Sequence, residues 1–464
     1  MSRAIRFWRL SFRWVGLAAL AALGCGGGQT RGHPFERAWD DETGCDLGAF
    51  VAGWRMPSAA EFPALAVGAI EGRALVGGAL GSRPWRVLYP VEGQPILAGR
   101  VAVVLGADAL LGVDATSGER LWTLPALGRL RGASDDGRTT LVSIERLSGR
   151  STQVLAISRN GTVVRQIVED APIGAPVILD EFAFLPVAGR AVIVFDLVAG
   201  AEAARVIARV PLTRAFLAGD ELYVGDEEVI RFDPSVVAAR SGGGTRIRLP
   251  ERSLPARPRW MTAPDGDDLP RAQLLAMPVK GRVDGLAYVA GPFVVGLDVH
   301  DARTLWVHRT ERELLAGRAA LGGFVVCERG GAVAQLDSRG FVSARWSLGA
   351  EVDRCDVSAS VISPALGHPV EPLWKQLATA LAEPVPAFID VQLLLVDDLA
   401  RLESTESTRA LEGVATSLPA VGELPEAVRA RAVLARHAKE RLATLSRTPD
   451  GSPQGVDSAS FGFR

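Results

Sequence analysis

Short apolar runs broken by turn residues dominate the chain between residues 61 and 362. Runs such as residues 101–105 and 293–297 are rich in Val, Leu and Phe, and small or polar residues follow each run. These runs lack the sustained three- and four-residue spacing of an amphipathic helix. The pattern therefore predicts a region of short β-strands joined by tight turns.

One phrase recurs along this region. Residues 113–122 read Val-Asp-Ala-Thr-Ser-Gly-Glu-Arg-Leu-Trp, and residues 297–306 read Leu-Asp-Val-His-Asp-Ala-Arg-Thr-Leu-Trp. Fainter copies lie between and after them, and the steps from copy to copy are 44, 38, 37, 65 and 39 residues. Four of these steps fit the period of roughly 40 to 50 residues that a four-stranded propeller blade requires. The residues that open the turn of each copy are Asp114, Ser158, Asp196, Asp233, Asp298 and Asp337.

The residues of the phrase have structural explanations. An Asp that opens a turn can accept hydrogen bonds from the backbone N–H groups that follow it. Gly118 and Gly340 are placed to supply the positive φ that closes the hairpin. Trp122, Trp306 and Trp346 are predicted to pack in the seam between neighbouring blades, because an isolated Trp lacks the other groups that a ligand site would need.

The phrase resembles the pyrroloquinoline-quinone-type β-propeller repeat, and residues 60–360 resemble the propeller lipoproteins of the outer-membrane protein assembly machinery (BamB-like). The resemblance implies an all-β propeller over residues 61–362, with six to eight blades and seven or eight favoured. Residues 238–268, rich in Arg, Pro and Gly, are expected to be an inserted loop that lengthens one step. The same repeat serves redox enzymes and non-catalytic lipoproteins, so it implies a fold and leaves the activity open.

The pattern changes after residue 363. Leu, Ala and Val recur at helical spacing, and Pro or Gly separates the segments. This predicts a small all-α domain over residues 363–447 that resembles HEAT-type helix pairs and docks against the propeller. Residues 448–464 are expected to be a disordered tail. The four predicted helices cover residues 372–382, 387–402, 404–417 and 424–445.

The N-terminus has the pattern of an export signal. Four arginines precede an apolar stretch over residues 14–23, which is short for a membrane span. Residues 22–25, Ala-Leu-Gly-Cys, resemble the lipobox of bacterial lipoproteins, which makes Cys25 the expected lipid attachment site and residues 26–60 a tether. Ordinary cleavage beside an incidental Cys is the alternative. The residue after Cys25 favours an outer-membrane lipoprotein facing the periplasm, with the inner membrane or the cell surface as alternatives.

Charge and cysteine content agree with an exported protein. The net charge is −2 and becomes −6 once the four arginines of the signal segment are removed, so nucleic acid is not expected as a partner. Besides Cys25 the chain has Cys45, Cys327 and Cys355. A disulfide between Cys327 and Cys355 and a pair of buried thiols are both consistent with their spacing.

Residues with catalytic or metal-binding patterns are scarce. The five histidines, His33, His300, His308, His368 and His437, show no metal-ligand spacing. Of these, His33, His300 and His308 are expected at surfaces or turns. No nucleophile elbow, phosphate-binding loop or haem attachment motif occurs. We expect no cofactor and no catalysis, but a lipid-anchored scaffold whose partners are envelope proteins and the membrane. A quinoprotein dehydrogenase and a propeller that binds a small molecule or glycan are the alternatives.

Overall fold

The chain is mostly β up to residue 358 and helical from residue 373. The computed structural model describes residues 36–39, 63–125, 128–146, 151–179, 181–212, 214–218, 221–225, 228–232, 246–248, 273–279, 282–298, 303–365, 367 and 371–446.

The strands form four-stranded antiparallel meanders, which we number as blades in chain order. Each meander runs through neighbouring strands joined by short turns. The strand β1 (Glu36–Trp39) precedes the blades and is treated below. The strands that follow it up to blade 3 are β2 (Leu65–Ile70), β3 (Ala74–Ala79) and β4 (Trp85–Leu88) of blade 1, β5 (Glu92–Ala98), β6 (Val101–Leu105), β7 (Ala109–Asp114) and β8 (Arg120–Pro125) of blade 2, and β9 (Gly128–Asp135), β10 (Thr139–Arg146), β11 (Thr152–Ser158) and β12 (Val163–Glu169) of blade 3.

Four more blades follow, and a last strand, β29, returns to blade 1. The order β29-β2-β3-β4 places this last strand where blade 2 has β5. The remaining strands are β13 (Val177–Leu179), β14 (Phe182–Val187), β15 (Gly189–Asp196) and β16 (Ala201–Leu212) of blade 4, β17 (Arg214–Ala218), β18 (Glu221–Gly225), β19 (Glu228–Phe232) and β20 (Arg246–Arg248) of blade 5, β21 (Gln273–Val279), β22 (Arg282–Ala290), β23 (Phe293–Leu297) and β24 (Thr304–Arg309) of blade 6, β25 (Leu314–Ala320), β26 (Gly323–Glu328), β27 (Ala332–Asp337) and β28 (Val342–Ser347) of blade 7, and β29 (Arg354–Ser358). Across the residues that the structure describes there are seven such sheets, so the predicted β-propeller class is confirmed with seven blades.

Two compact units make up the chain. The first contains residues 1–60, 121–249 and 280–282, and it carries blades 3, 4 and 5 and nearly all of β8. The second contains residues 61–120, 250–279 and 283–464, and it carries blades 1, 6 and 7, the other strands of blade 2 and the helices.

Position within a blade decides the composition of each strand. The second and third strands are apolar on both faces, as in β3 and β26, because neighbouring blades cover both sides of these strands. The fourth strands are far more exposed, as in β4 and β28, and they carry charged side chains that suit a sheet edge in water. The core therefore lies between successive sheets. Its clusters join blades 7 and 1, 1 and 2, and 6 and 7 in the second unit, and blades 3 and 4 in the first.

Blade 1 is completed from the far end of the propeller region. The strand β29 pairs antiparallel with β2, with Leu65 opposite Ser358 and Ala69 opposite Arg354. A disulfide joins Cys355 on β29 to Cys327 on β26, and their Cα atoms are 6.6 Å apart. The spacing of the two cysteines in the sequence is consistent with either a disulfide or two free thiols, and the structure contains the disulfide. The closing strand is thus bonded covalently to blade 7.

Four α-helices follow, close to the predicted bounds. The third helix begins with a capping box in which Ser404 Oγ accepts from the N–H of Ser407, and Ser407 Oγ accepts from the N–H of Ser404, both at 3.0 Å. Buried leucines from all four helices pack together. The helices are α1 (Leu373–Leu381), α2 (Ile389–Arg401), α3 (Thr405–Ala415) and α4 (Pro425–Leu445).

Two predicted irregular segments contain strands. Within the expected tether, β1 pairs in parallel with β16, Glu36 opposite Arg205. The strand β16 is long, contains Val and Ile, and lies at the end of the antiparallel part of its sheet, so its edge is available for pairing with the four residues of β1. Within the expected inserted loop, β20 pairs with β19 and completes blade 5. Its Arg-Ile-Arg alternation suits an edge strand, so both predictions were wrong at these residues. The signal peptide and the tail lie outside the described residues.

Candidate functional site

The turn residues of the repeat form the bonds expected of them. Asp114 Oδ1 accepts hydrogen bonds from the N–H groups of Thr116 and Ser117 at 2.8 and 2.9 Å. Asp196 and Asp337 accept from the N–H groups of their own turns at 2.7 to 3.0 Å. These carboxylates are occupied by the backbone, so they shape turns.

Trp306 joins two blades. Its Nε1 donates to the carbonyl oxygen of Ser338 in blade 7 at 3.0 Å. Its ring lies against Gly340, where φ is +81° and a Cβ would overlap the indole. The side chain is 5% exposed and packs beside Phe324. The packing role predicted for this Trp therefore agrees with its position.

Trp85 forms the same arrangement between blades 1 and 2, and the sequence had not indicated it. Its Nε1 donates to the carbonyl oxygen of Ala115 at 2.9 Å, and its ring covers Gly118, where φ is +76°. The turn before Trp85 lacks the Asp of the phrase. The sequence feature that could have revealed this role is the spacing between each Trp and the residue that accepts its hydrogen bond. Trp85 precedes Ala115 by 30 residues, and Trp306 precedes Ser338 by 32.

Blade 3 uses an arginine in place of the Trp. Arg165 on β12 donates from Nε to the carbonyl oxygen of Leu197 and from Nη2 to that of Val198, both at 2.7 Å. Trp122 packs against Gly161 of blade 3. The Nε1 atom of Trp122 is buried and has no acceptor among the described residues.

The other repeat residues add no ligand site. Trp346 is partly buried against the apolar cluster of blades 7 and 1, and its Nε1 also lacks an acceptor within the described part of the chain. The N–H of Asp298 donates to the carbonyl oxygen of Arg303 at 2.7 Å and closes its turn. Asp233 and Cys25 lie outside the described residues.

The first strands of blades 7, 1 and 2 meet at a charged group. Arg318 Nη2 lies 3.0 Å from Asp356 Oδ2, and Arg318 Nη1 donates to the carbonyl oxygen of Leu97 at 3.1 Å. The N–H of Leu97 donates to Asp356 Oδ2 at 2.7 Å. Burial raises the pKa of Asp356, and the guanidinium of Arg318 opposes that rise. Each of these groups has a protein partner, so the cluster ties three blades together.

Two histidines take positions that the sequence did not indicate. His308 lies on β24, and its Nε2 is buried without a hydrogen-bond partner in the described structure, so its expected place at a surface was wrong. Burial, together with the charge of the nearby Arg345, lowers the pKa of His308 to about 4. His437 Nε2 lies 2.7 Å from Asp397 Oδ1, which also accepts from Arg441 Nε at 2.6 Å. This second contact joins α2 and α4. His33, His300 and His368 lie outside the described residues.

No group of three or more His, Cys, Asp or Glu side chains is arranged to hold a metal ion in the described part of the chain. None of the helices described is both long and apolar enough to cross a membrane.

The helical domain covers the outer edge of blade 6. The N–H of Val307 on β24 donates to Gln376 Oε1 of α1 at 2.8 Å, and Thr304 Oγ1 donates to Asp398 Oδ2 of α2 at 2.5 Å. Arg309 of the same strand donates to the carbonyl oxygens of Ala380 and Glu383, both at 3.1 Å. A sheet edge that would otherwise face water is bound here by side chains of another domain.

The outer edge of blade 3 has no such cover. The strand β12 has seven residues, ends its sheet, and pairs only with β11 among the described strands. Three of its valines are exposed: Val163 at 38%, Val164 at 43% and Val168 at 44%. Its Arg165 is engaged with the next blade, as described above, so this cation does not shield the edge. The strand is the candidate protein-binding site of the first unit.

Three solved structures illustrate what the chain is similar to. BamB from Moraxella catarrhalis has 18% identity, with 64% of this chain and 86% of that chain covered and a TM-score of 0.36. Apo AztD from Citrobacter koseri has 11% identity, coverage of 65% and 99%, and a TM-score of 0.40. The dihydro-heme d1 dehydrogenase NirN in complex with DHE has 15% identity, coverage of 68% and 71%, and a TM-score of 0.38.

These values carry no inference about activity, ligands or partners. No family model matches the chain, and no curated protein matches it in sequence.

Proposed function

We propose that this protein is a non-catalytic, protein-binding scaffold of the bacterial cell envelope. A lipid on Cys25 holds it at the outer membrane, facing the periplasm, and its partners are envelope proteins that take part in outer-membrane protein assembly. The lipobox-like sequence supports the location at the outer membrane. The resemblance of the repeat to propeller lipoproteins supports envelope proteins as the class of partner.

The uncovered edge of β12 is the observation that carries the proposal. An edge strand presents alternating N–H and C=O groups that an extended segment of another protein can pair with. The chain itself binds another such edge, that of β24, through α1 and α2. Two edges of the same kind thus differ, because β24 is bound by two helices whereas β12 has no such partner among the residues that the structure describes.

The expected complex adds one strand to blade 3. Backbone hydrogen bonds to β12 would supply the register, and Val164 and Val168 would lose their remaining contact with water. Because each valine is less than half exposed already, its burial contributes under about 1 kcal/mol, and the main-chain pairing carries a large share of the affinity.

A photo-crosslinking residue at Val164 tests this in the native envelope, with mass spectrometry of the products. The same residue at Leu321, which is 40% exposed between β25 and β26 of blade 7, is the matched control. We expect a defined set of envelope proteins at Val164 and a different or empty set at Leu321.

Three further variants test whether the products depend on β12 and on the lipid anchor. Val168→Lys puts a charge on the edge and should abolish the products from Val164, whereas Leu321→Lys should leave them intact. Cys25→Ala should release the protein from the membrane and reduce the yield. If Val168→Lys leaves the products unchanged, β12 is not the binding edge, and if Val164 captures nothing the scaffold proposal fails.

A further inference from the structure

The loop between α3 and α4 exposes three large aliphatic side chains. Leu418 is 83% exposed, Val421 108% and Leu424 73%. Most other exposed large apolar residues in the described structure are below half exposure. The loop therefore projects an apolar tip into solvent, which a soluble domain rarely does without an occupant.

The loop is held in this arrangement by a partly buried ion pair. Arg431 Nη2 of α4 lies 2.7 Å from Glu423 Oε1, and the two side chains are 13% and 11% exposed. Glu423 Oε2 also accepts from the N–H of Ala420 at 3.0 Å, and Arg431 Nη1 donates to the carbonyl oxygen of Ala382 at 3.4 Å. The fold thus positions the apolar tip.

Two positively charged side chains lie in a groove next to this tip. Arg436 and Lys439 of α4 line the same groove as Leu418, and the groove has a volume of about 530 Å³. Both are exposed, and neither forms an ion pair with any described residue. The nearby carboxylate of Glu440 is directed to His437, 3.8 Å away. The surface therefore combines projecting aliphatic side chains with unpaired positive charge.

We propose that this face of the helical domain binds the surface of an anionic lipid bilayer. Aliphatic side chains that enter the interface beside cations that meet headgroup phosphates are the general requirements for such binding. The tip projects outward and contains no aromatic residue, whereas a protein hot spot is rich in aromatics and sits in a packed pocket. This contact is additional to the protein-binding role proposed above and does not depend on it.

Fluorescence at the tip tests the contact on the full chain. The probe is the environment-sensitive dye NBD on Val421→Cys, in a chain with Cys25→Ser and Cys45→Ser so that no lipid at residue 25 contributes. NBD on Val198→Cys is the control, because this exposed valine lies in the other compact unit. We expect a blue shift at Val421 on vesicles of phosphatidylcholine with phosphatidylglycerol, a much smaller one on phosphatidylcholine alone, and none at Val198.

Charge variants test whether vesicle binding depends on Arg436 and Lys439 or on the overall positive charge of the protein. Arg436→Gln with Lys439→Gln should weaken binding to the anionic vesicles about 30-fold, as expected for two basic residues near the headgroups. Arg86→Gln with Arg409→Gln removes the same charge from exposed positions elsewhere and should leave binding unchanged. Equal weakening by both pairs, or no shift at Val421, overturns the proposal, and a protein then becomes the occupant to test.

Discussion

Trp306 Nε1 lies 3.0 Å from the carbonyl oxygen of Ser338, and this bond joins the last strand of blade 6 to a turn of blade 7. Trp85 and Ala115 repeat the arrangement two seams away, at 2.9 Å. At each of these two seams, a single side chain supplies both apolar area and a satisfied donor. The contacts between blades therefore depend on a few large side chains as well as on strand pairing.

Replacing Trp306 by Phe should destabilise the protein by about 1–2 kcal/mol, because the carbonyl oxygen of Ser338 loses its donor and the ring loses area. Trp122→Phe should cost less, since the Nε1 of Trp122 is buried without an acceptor in the described structure. Urea unfolding followed by circular dichroism measures both. Equal losses would show that the hydrogen bond contributes nothing.

Gly340→Ala should be far more costly than Gly137→Ala. Both glycines have positive φ, +81° and +88°, so both variants carry a backbone cost of about 1–2 kcal/mol. A Cβ at Gly340 would also overlap the indole of Trp306, whereas a Cβ at Gly137 would meet nothing within 4 Å. We expect Gly340→Ala to add at least about 2 kcal/mol to the shared cost, measured as a shift in the urea midpoint.

Acid should weaken blade 6 through His308. Because burial lowers its pKa to about 4 from 6.5, the unfolded chain binds the proton more readily between these values. Stability is then lost as pH falls from 6.5 to 4, by about 3 kcal/mol in total. His308→Gln should remove this dependence.

The comparison between wild type and His308→Gln is needed because Asp135 titrates in the same range. Burial raises the pKa of Asp135 to about 6, and its contribution has the opposite sign, since stability is lost as pH rises through that interval. The difference between the two proteins across pH 4 to 7 isolates His308. A difference that stays constant with pH would contradict the prediction.

Removing the disulfide should loosen the closure of blade 1. The bridge encloses 28 residues of sequence separation, and a loop of this length corresponds to about 3–4 kcal/mol in the chain-entropy description. Cys327→Ala with Cys355→Ala should lower the melting temperature to that of the reduced wild type. Dithiothreitol should then have no further effect on the variant, and any additional decrease would point to another bridge.

The sequence was informative where the chemistry is local. The Asp residues at turns form bonds within four residues of themselves, and Ser404 caps the helix that it precedes, so each could be inferred from its neighbours. The helices of the last domain were predictable for the same reason, because one turn of spacing reveals an amphipathic face.

Features that depend on distant residues were missed. Nothing near Arg165 indicates that it replaces a Trp, because its partners lie 32 and 33 residues further along the chain. The uncovered edge of β12 and the covered edge of β24 also look alike in sequence, since the difference lies in α1 and α2. The burial of His308 likewise follows from the packing of its strand, which a single residue cannot reveal.

The return of β29 to blade 1 has a consequence for biogenesis. The N–H of Glu71 donates to Asp353 Oδ1 across 282 residues of sequence, so the first sheet to leave the ribosome is among the last to be completed. Contacts of such separation fold slowly and leave an unpaired sheet exposed in the meantime. A polypeptide interrupted before residue 354 would carry an incomplete first sheet, and the unpaired edge of β2 would be open to pairing with other chains.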